Sequence, residues 1–382
     1  MLAWEAVAVA GAFVRTRLPK APPTLKTGPS IAVLVACKGE TRHSRKFIQH
    51  LLAQAYRPYR VILAVESAAD SALNLLRLPG MAERGEGVVA GLAEDTSQKV
   101  ANLRAGLARL RESDEILVLS DADHLPPPDW LGRLAALLVA GEGDVVTGYR
   151  LQVPTPPSLG SCLIAALDAA ILTAPRPHIE RPCWGGSTAS WRRNWERVEF
   201  RQGLEHSFND DLMVSRRFHR AGFKVLMPRH MTLPIELEAD LRRLVNFATR
   251  QYLQVRWYAP TVKWLCRLLL PLPVLGWAAA IGAVATGHGW GWIVLALAYA
   301  AAGAKAVLRR GLVRHVAGAS AERRWRCAFW LTCLAPPLLA LAHAALGYIG
   351  LFGRTTVWAG TRYRIEAPGR VRVLDRRPDV AA

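Results

Sequence analysis

Apolar residues are distributed unevenly along this chain, and the pattern changes twice. Short apolar runs rich in branched residues at 31–36, 61–65 and 115–119 are separated by stretches at 44–55 and 98–110 with helical spacing. Strands alternating with helices predict an α/β domain with a mostly parallel sheet over residues 30–235. Ligands of such sheets sit at the carboxyl ends of strands, which is where Lys38, Glu66 and Asp121 fall.

Residues 236–262 hold a basic amphipathic stretch. Arg242, Arg243, Arg250 and Arg256 interleave with Leu241, Leu244, Val245, Tyr252 and Val255, the pattern of a helix lying in the headgroup plane of a membrane. Arg250, Gln251, Arg256 and Trp257 are the residues that this helix would turn toward a site. Residues 263–352 then carry apolar stretches at 264–286, 290–308 and 328–352, none with an internal acid. They predict two to three membrane helices, the first two joined as a hairpin at Gly287-His288-Gly289. At the other end, residues 1–14 are apolar but short for a span and interrupted by Glu5, and Arg15, Arg17 and Lys20 follow. Residues 1–29 therefore read as an interfacial anchor or clipped span with a basic linker.

Charge sharpens this division. The 382 residues hold 49 Lys and Arg against 30 Asp and Glu, a formal charge of +19, yet 51% are hydrophobic. Disorder is excluded by the apolar content, and a nucleic-acid partner would explain the charge without explaining the hydrophobicity. Basic faces on an anionic membrane explain both. The stretch 305–326 carries seven basic residues and one acid, net +6. The tail, 353–382, has seven arginines and three acids, net +4. The positive-inside rule places both on the cytoplasmic side, whereas a single span between them would separate them. A break at Pro336-Pro337 that returns the third stretch to its starting side is the alternative, and the sequence leaves both open. The six cysteines form no CxxC pair and no zinc spacing, so neither a disulfide framework nor a structural metal is expected.

The sharpest local chemistry is Asp121-Ala122-Asp123, directly after an apolar strand. Two carboxylates spaced this way suit a divalent cation, Mg²⁺ or Mn²⁺, that bridges phosphate oxygens; a solvated turn is the plainer reading. Asp210-Asp211 precedes a helical run, so one acid would cap that helix while the other acts as a general base. Lys99 and Asn102 begin a helix, where a cation and free amides suit a phosphate, although many such residues only face solvent. Trp184-Gly185-Gly186-Ser187 is a loop whose small residues allow a ligand to approach the backbone, or else a plain turn.

In chain order, these segments resemble a membrane-bound family 2-type (GT-A) glycosyltransferase of the bacterial ceramide glucosyltransferase-like branch. VACKGE at 35–40 is similar to the family's strand-end Lys-Gly motif, and QKVANL at 98–103 to its Lys-Asn segment. The stretch 47–70 resembles the part in which an acid contacts the nucleotide, here Glu66 or Asp70. SDADHLPPPDWL at 120–131 resembles the metal-binding DxD, WGGSTASWRR at 184–193 the donor–acceptor loop, and NDDLMVSRRFHRAGFKV at 209–225 the segment with the base. A weaker similarity covers 358–365. Where the family carries Gln/Arg-x-x-Arg-Trp, this chain keeps Arg256-Trp257 but begins the motif with Leu253; Gln254, or the upstream Arg250-Gln251, is the substitute.

The resemblance implies a GT-A-like, Rossmann-type nucleotide-sugar domain followed by interfacial and transmembrane α-helices. Asp211 would be the base, Asp121 and Asp123 the metal ligands, and Lys38, Glu66, Asp70, Lys99, Asn102 and Asp121 the donor contacts. Trp184, Gly185, Gly186, Ser187 and Asp210 would form the donor–acceptor loop. The implied reaction moves a hexose from a nucleotide sugar, a UDP-sugar, to a lipid hydroxyl with inversion. It would take place at the cytoplasmic face of the inner membrane, with anionic lipid and no nucleic acid as partner. The rival readings are a processive polysaccharide synthase, a nucleotidyltransferase on a similar sheet, and a membrane protein without activity.

Overall fold

The computed structural model describes residues 1–18, 24–174 and 182–376. Lys20 and the end of the tail, 377–382, lie outside the described residues. The chain forms two compact units. One comprises Lys20–Arg150, Pro177–Leu233 and Thr355–Ala382; the other comprises Met1–Pro19, Leu151–Arg176 and Pro234–Arg354.

The strands, in chain order, are β1 (Thr27–Ala36), β2 (Arg57–Val65), β3 (Gly85–Val89), β4 (Ile116–Asp121), β5 (Val145–Thr147), β6 (Tyr149–Pro154), β7 (Thr188–Trp191), β8 (Val225–Leu226), β9 (Thr232–Leu237), β10 (Thr355–Trp358), β11 (Thr361–Ala367) and β12 (Arg370–Arg376). In the first unit they build a seven-stranded sheet of order β3-β2-β1-β4-β7-β5-β8. Strands β3, β2, β1 and β4 are parallel, and β7 runs antiparallel to both β4 and β5. The fold is mixed α/β with a parallel central sheet. The predicted strands at 31–36, 61–65 and 115–119 are β1, β2 and β4, buried on both faces and hence continuously apolar. Pattern missed β3, where packing leaves no room for a side chain at its first residue: a Cβ on Gly85 would stand 2.8 Å from the Met81 carbonyl. The predicted helices appear as Arg42–Leu52 and Gln98–Leu107.

Chain order reverses between β1 and β4, and Ala36 pairs with Asp121 at that point. The crevice at such a reversal is where open α/β sheets bind ligands. Behind it, Asp114 anchors the approach to β4. Its carboxylate takes Arg60 in two hydrogen bonds of 2.9 and 2.5 Å and the Arg111 amide at 2.7 Å. Burial works to raise the Asp114 carboxyl, but these donors outweigh it and hold it below its usual range. A lowered value means stability that is present above the unfolded value, near 3.9, and lost as pH falls through the folded one. Asp114→Asn is expected to cost about 2–3 kcal/mol at neutral pH. The difference in melting temperature from wild type should shrink toward pH 3, and a constant difference would show that ionisation is not the cause.

The segment read as a basic tail contains a three-stranded antiparallel sheet, β10-β11-β12, and belongs to the same unit as the seven-stranded sheet. Its first turn is tight: Ala359 and Gly360 have φ of 47° and 73°, the mirror-image turn that suits the twist of two strands. Arginines alternate with buried Tyr363 and Ile365 in β11, so this part of the tail's charge lies on the outer face of a folded strand.

The second unit is mainly helical. Pro260–Ala285 and Trp290–Leu334 are long and apolar enough to cross a membrane. The predicted basic stretch 305–326 is helical, lying within Trp290–Leu334, with a break at Gly318 (φ 83°). Arg310 and Glu322 form a 2.7 Å ion pair across that break. In an unbroken helix, twelve residues would hold them about 18 Å apart, so the chain reverses at Gly318. The third apolar stretch is split at Ala335, and Pro336–Phe352 forms a separate helix. This helix lies close against Leu241–Tyr258, where a Cβ on Gly350 would meet the Thr249 carbonyl at 2.4 Å.

The N-terminal helix, Leu2–Thr16, packs on Trp290–Leu334. Glu5, which reads in the sequence as an interruption, is buried and ion-paired with Lys305. Cys162 and Cys327 are joined by a disulfide where none was expected; a partner 165 positions away leaves no mark in local spacing.

Candidate active site

The centre of the site is a lysine among acids. Lys99 occupies the first turn of Gln98–Leu107, a helix started by Ser97, whose hydroxyl accepts the Val100 amide at 3.3 Å. Its ammonium stands 2.8 Å from Asp121 Oδ1 at the end of β4, 3.0 Å from Asp210 Oδ2 and 4.0 Å from Asp211 Oδ1. Burial works to lower the lysine, yet the acids outweigh it and hold it well above its usual value, so it stays charged. Burial works to raise Asp121, but Lys99 overrides that and keeps it below the ordinary carboxylate range. Asp211 moves the other way. Withdrawal from water, then the charge of Asp210, raises it well above the ordinary range, against the pull of Lys99.

Neither acid caps the helix Asp211–Arg220. Asn209 does, its Oδ1 accepting the Leu212 amide at 2.6 Å, while Asp210 makes no side-chain cap. That corrects the expected division between one capping and one reacting acid, and it leaves both carboxyls available to the site. Asp211 Oδ1 also accepts the Gly185 amide at 2.8 Å. A Cβ on Gly185 would lie 2.2 Å from Asp211 Oδ1, 2.5 Å from Asp210 Oδ2 and 3.0 Å from the Lys99 ammonium. Gly185→Ala is therefore expected to push the carboxylates aside, lowering the melting temperature by a few degrees while the protein stays folded, and to reduce turnover by about 10²-fold, since reacting groups displaced by an ångström lose that much. Near-normal turnover would show that this approach is not needed.

The rest of the loop is packed into place. Trp184 donates its amide to Thr147 Oγ1 at 2.9 Å, Gly186 lies against the Trp184 ring, and Ser187 Oγ accepts from Trp130 Nε1 at 3.0 Å. His124 was not singled out in the sequence although it follows the DxD directly. It is buried among Phe47, Trp130 and Trp184, with ring centroids 5.0, 5.4 and 5.7 Å away, and its Nε2 is 2.9 Å from Ser120 Oγ. Burial lowers its pKa to about 3, so it is a neutral wedge that fixes the β4 end.

The other residues expected at the donor have partners within the fold. Lys38 pairs with Glu66 at 3.3 Å and donates to the Ala359 carbonyl at 2.9 Å. Asp70 accepts the Gly39 and Ala72 amides, each at 2.8 Å, and so shapes the turn after β1. Asn102 is buried and donates to the Cys37 and Ala64 carbonyls at 3.3 and 3.2 Å, tying the ends of β1 and β2 together. In the other unit, Arg256 donates to the Phe352 and Gly353 carbonyls at 2.7 and 2.8 Å, capping a helix end. Gln251 lines a small cavity with Asp168, Tyr252 and His343.

For a divalent cation, the available donors are hard carboxylate oxygens. Asp123 is exposed, Asp121 half-buried, and Asp210 Oδ2 is buried with its ion pair to Lys99 but no hydrogen bond. Three acids around one ammonium leave a net negative charge when all are ionised. Among the described residues, no three His, Cys, Asp or Glu form a closed ligand set. One or two carboxylates with positions left for phosphate and water is the way Mg²⁺ is commonly held, and the residues fit that mode.

Comparison with known proteins agrees with the motifs. The family described as "Glycosyl transferase family 21" matches residues 1–371. No curated protein matches the chain. Among solved structures, the chain is similar to a mannosyltransferase from Pyrobaculum calidifontis in complex with GDP-Man and Mn²⁺. Identity is 17% over 92% of this chain and 99% of that one, with a TM-score of 0.48. It is also similar to glucosyl-3-phosphoglycerate synthase from Mycobacterium tuberculosis in complex with Mn²⁺, UDP and glucosyl-3-phosphoglycerate. There the identity is 15% over 60% of this chain and 79% of that one, with a TM-score of 0.37.

Proposed function

The chain belongs to glycosyl transferase family 21, and from that premise we propose that it transfers one hexose from a UDP-sugar to the hydroxyl of a membrane lipid, with inversion. The observation that carries the reading is the cluster of Lys99, Asp121, Asp210 and Asp211 at the sheet's reversal point, with Asn209 relieving both acids of capping. In this reading Asp211 accepts the proton of the lipid hydroxyl. The hydroxyl oxygen forms its bond to the anomeric carbon as the bond to the nucleoside diphosphate breaks, and the electron pair leaves with the diphosphate.

A carboxyl raised by desolvation is a stronger base once ionised, which suits proton removal near neutral pH. Lys99 offers a fixed positive charge to the diphosphate, and Gly185 holds Asp211 in line through its amide. Lys38, with Glu66, and the turn shaped by Asp70 form the nucleotide side. Asp121 and Asp123 would hold Mg²⁺ or Mn²⁺, which when bound neutralises charge on the departing diphosphate. In the helical unit, exposed Trp264, Leu268, Leu275, Trp292 and Leu338 suit lipid, and Arg242 and Arg243 at the exposed start of Leu241–Tyr258 suit anionic headgroups. The inner membrane, with the catalytic unit in the cytoplasm, is the location that fits the basic segment.

The test is direct. Purified full-length protein is incubated with UDP-glucose, UDP-galactose or GDP-mannose, Mn²⁺ and membrane lipids, and the lipids are read by mass spectrometry. A lipid gaining a single hexose supports the reading. Long glycan products would favour a processive synthase, and pyrophosphate released from a nucleoside triphosphate would favour a nucleotidyltransferase.

A further inference from the structure

The C-terminal sheet is not used by the mechanism above, yet it touches the elements that carry its key residues. Tyr363 in β11 is buried, and its hydroxyl oxygen accepts the Gln98 amide at 3.2 Å. Gln98 is the first residue of the helix bearing Lys99, and its N–H is one of the donors that a helix leaves without an internal partner. The same ring packs edge-on against fully buried Phe208, with centroids 5.3 Å apart, and Trp358 of β10 packs on Phe208 at 5.7 Å. Phe208 precedes Asn209, which caps the Asp211 helix, and Asp210-Asp211 follow.

The loop before Lys99 is fixed to the same segment. The Ser97 amide donates to the Ser207 carbonyl at 3.2 Å, and Thr96 Oγ1 donates to that carbonyl as well. The sheet is held from two further sides: Lys38 donates to the Ala359 carbonyl at its turn, and Arg376 donates to the Ala93 carbonyl. One aromatic residue thus stands between the helix that positions the ammonium and the loop that positions the two acids.

We propose that Tyr363 is a positioning residue for the site: its hydroxyl sets the first turn of the Lys99 helix, its ring sets the Phe208–Asp211 segment, and the C-terminal sheet is thereby a wall of the donor site. This rests on the reading of Lys99 and Asp211 as the reacting centre. Outside the sheet, the two segments meet through the Ser207 carbonyl and through the more exposed pairs Asp95–His206 at 2.6 Å and Arg104–Glu205 at 2.9 Å; the buried link beside the ammonium, which stands within 3.0 Å of two carboxylates, is Tyr363. Hydrogen bonding and ring packing fix that spacing at little entropic cost because Tyr363 is itself locked in a strand.

The experiment compares wild type, Tyr363→Phe and Tyr363→Leu in the full-length protein. Hydrogen exchange is followed over 97–103 and 207–213, UDP binding is measured with Mn²⁺, and kcat and KM are measured with the active sugar nucleotide. Tyr363→Phe keeps the ring and leaves the Gln98 amide without its acceptor. Faster exchange over 97–103, about tenfold weaker UDP binding or higher donor KM, and a melting temperature lowered by only a few degrees, with the protein still fully folded at the assay temperature, are expected. Tyr363→Leu should also speed exchange over 207–213 and lower kcat. Unchanged exchange over 97–103 in Tyr363→Phe overturns the proposal. So does a loss of activity in Tyr363→Leu that only follows a loss of folded protein. If wild type binds no nucleotide, the functional reading fails, while the exchange measurement still decides the role of Tyr363.

Discussion

Asp211→Asn should bind the nucleotide sugar as wild type does and lose transfer by about 10³-fold or more, the range of a general base removed from its reaction. The amide is close to isosteric with the acid, and its oxygen still accepts from Gly185, which lies 2.8 Å from Oδ1 in wild type. The fold and the donor pocket are therefore expected to survive. What is lost is the group that takes the proton. In wild type, kcat should rise with pH through the carboxyl of Asp211, because only the ionised form is a base. Burial and Asp210 raise that carboxyl, so the acidic limb should lie above the usual carboxylate range near 4. Near-normal kcat in Asp211→Asn would remove Asp211 from the mechanism, and a limb at the ordinary carboxylate value would remove the influence of Asp210.

Lys99→Met should damage stability and donor binding together. The methionine fills similar space but leaves Asp121 and Asp210, both within 3.0 Å of the present ammonium, without their cation. Removing one partner of a buried ion pair costs about 3–5 kcal/mol, which for a unit of this size lowers the melting temperature by roughly 6 °C or more. The pH dependence gives the sign. Asp211 already has a folded value above its unfolded one, so its contribution favours the folded state at low pH and is lost as pH rises through the folded value. Without Lys99, Asp211 moves further up and Asp121 loses the influence that lowers it. The penalty is thus greatest at neutral pH and should recover on acidification toward pH 5. Adding Asp121→Asn should restore part of the stability at pH 7. A Lys99→Met protein as stable as wild type at neutral pH, with unchanged UDP binding, would show that the ammonium does not organise the cluster.

Local sequence determined a great deal about this protein. Strands β1, β2 and β4 were legible because strands buried on both faces must be continuously apolar. Asp121, Lys99 and Asp210-Asp211 were legible because carboxylates at a strand end and a cation at a helix start are local arrangements. The long apolar helices were legible because their composition meets the length that a bilayer requires.

Only the tertiary structure decided how the residues divide their work. Asn209 takes the cap, Asn102 ties two strand ends, and Arg256 caps a distant helix end, since each side chain is claimed by the backbone nearest to it in space. Glu5 changes from an interruption to an ion-pair partner through Lys305, 300 positions away. The tail shows the limit most clearly: its arginines were legible as a charged surface, while alternation in a strand puts that charge on one face and buried Tyr363 on the other. Periodicity reveals that a face will be buried. What it is buried against depends on contacts between residues far apart in the chain, and those exist only once the chain has folded.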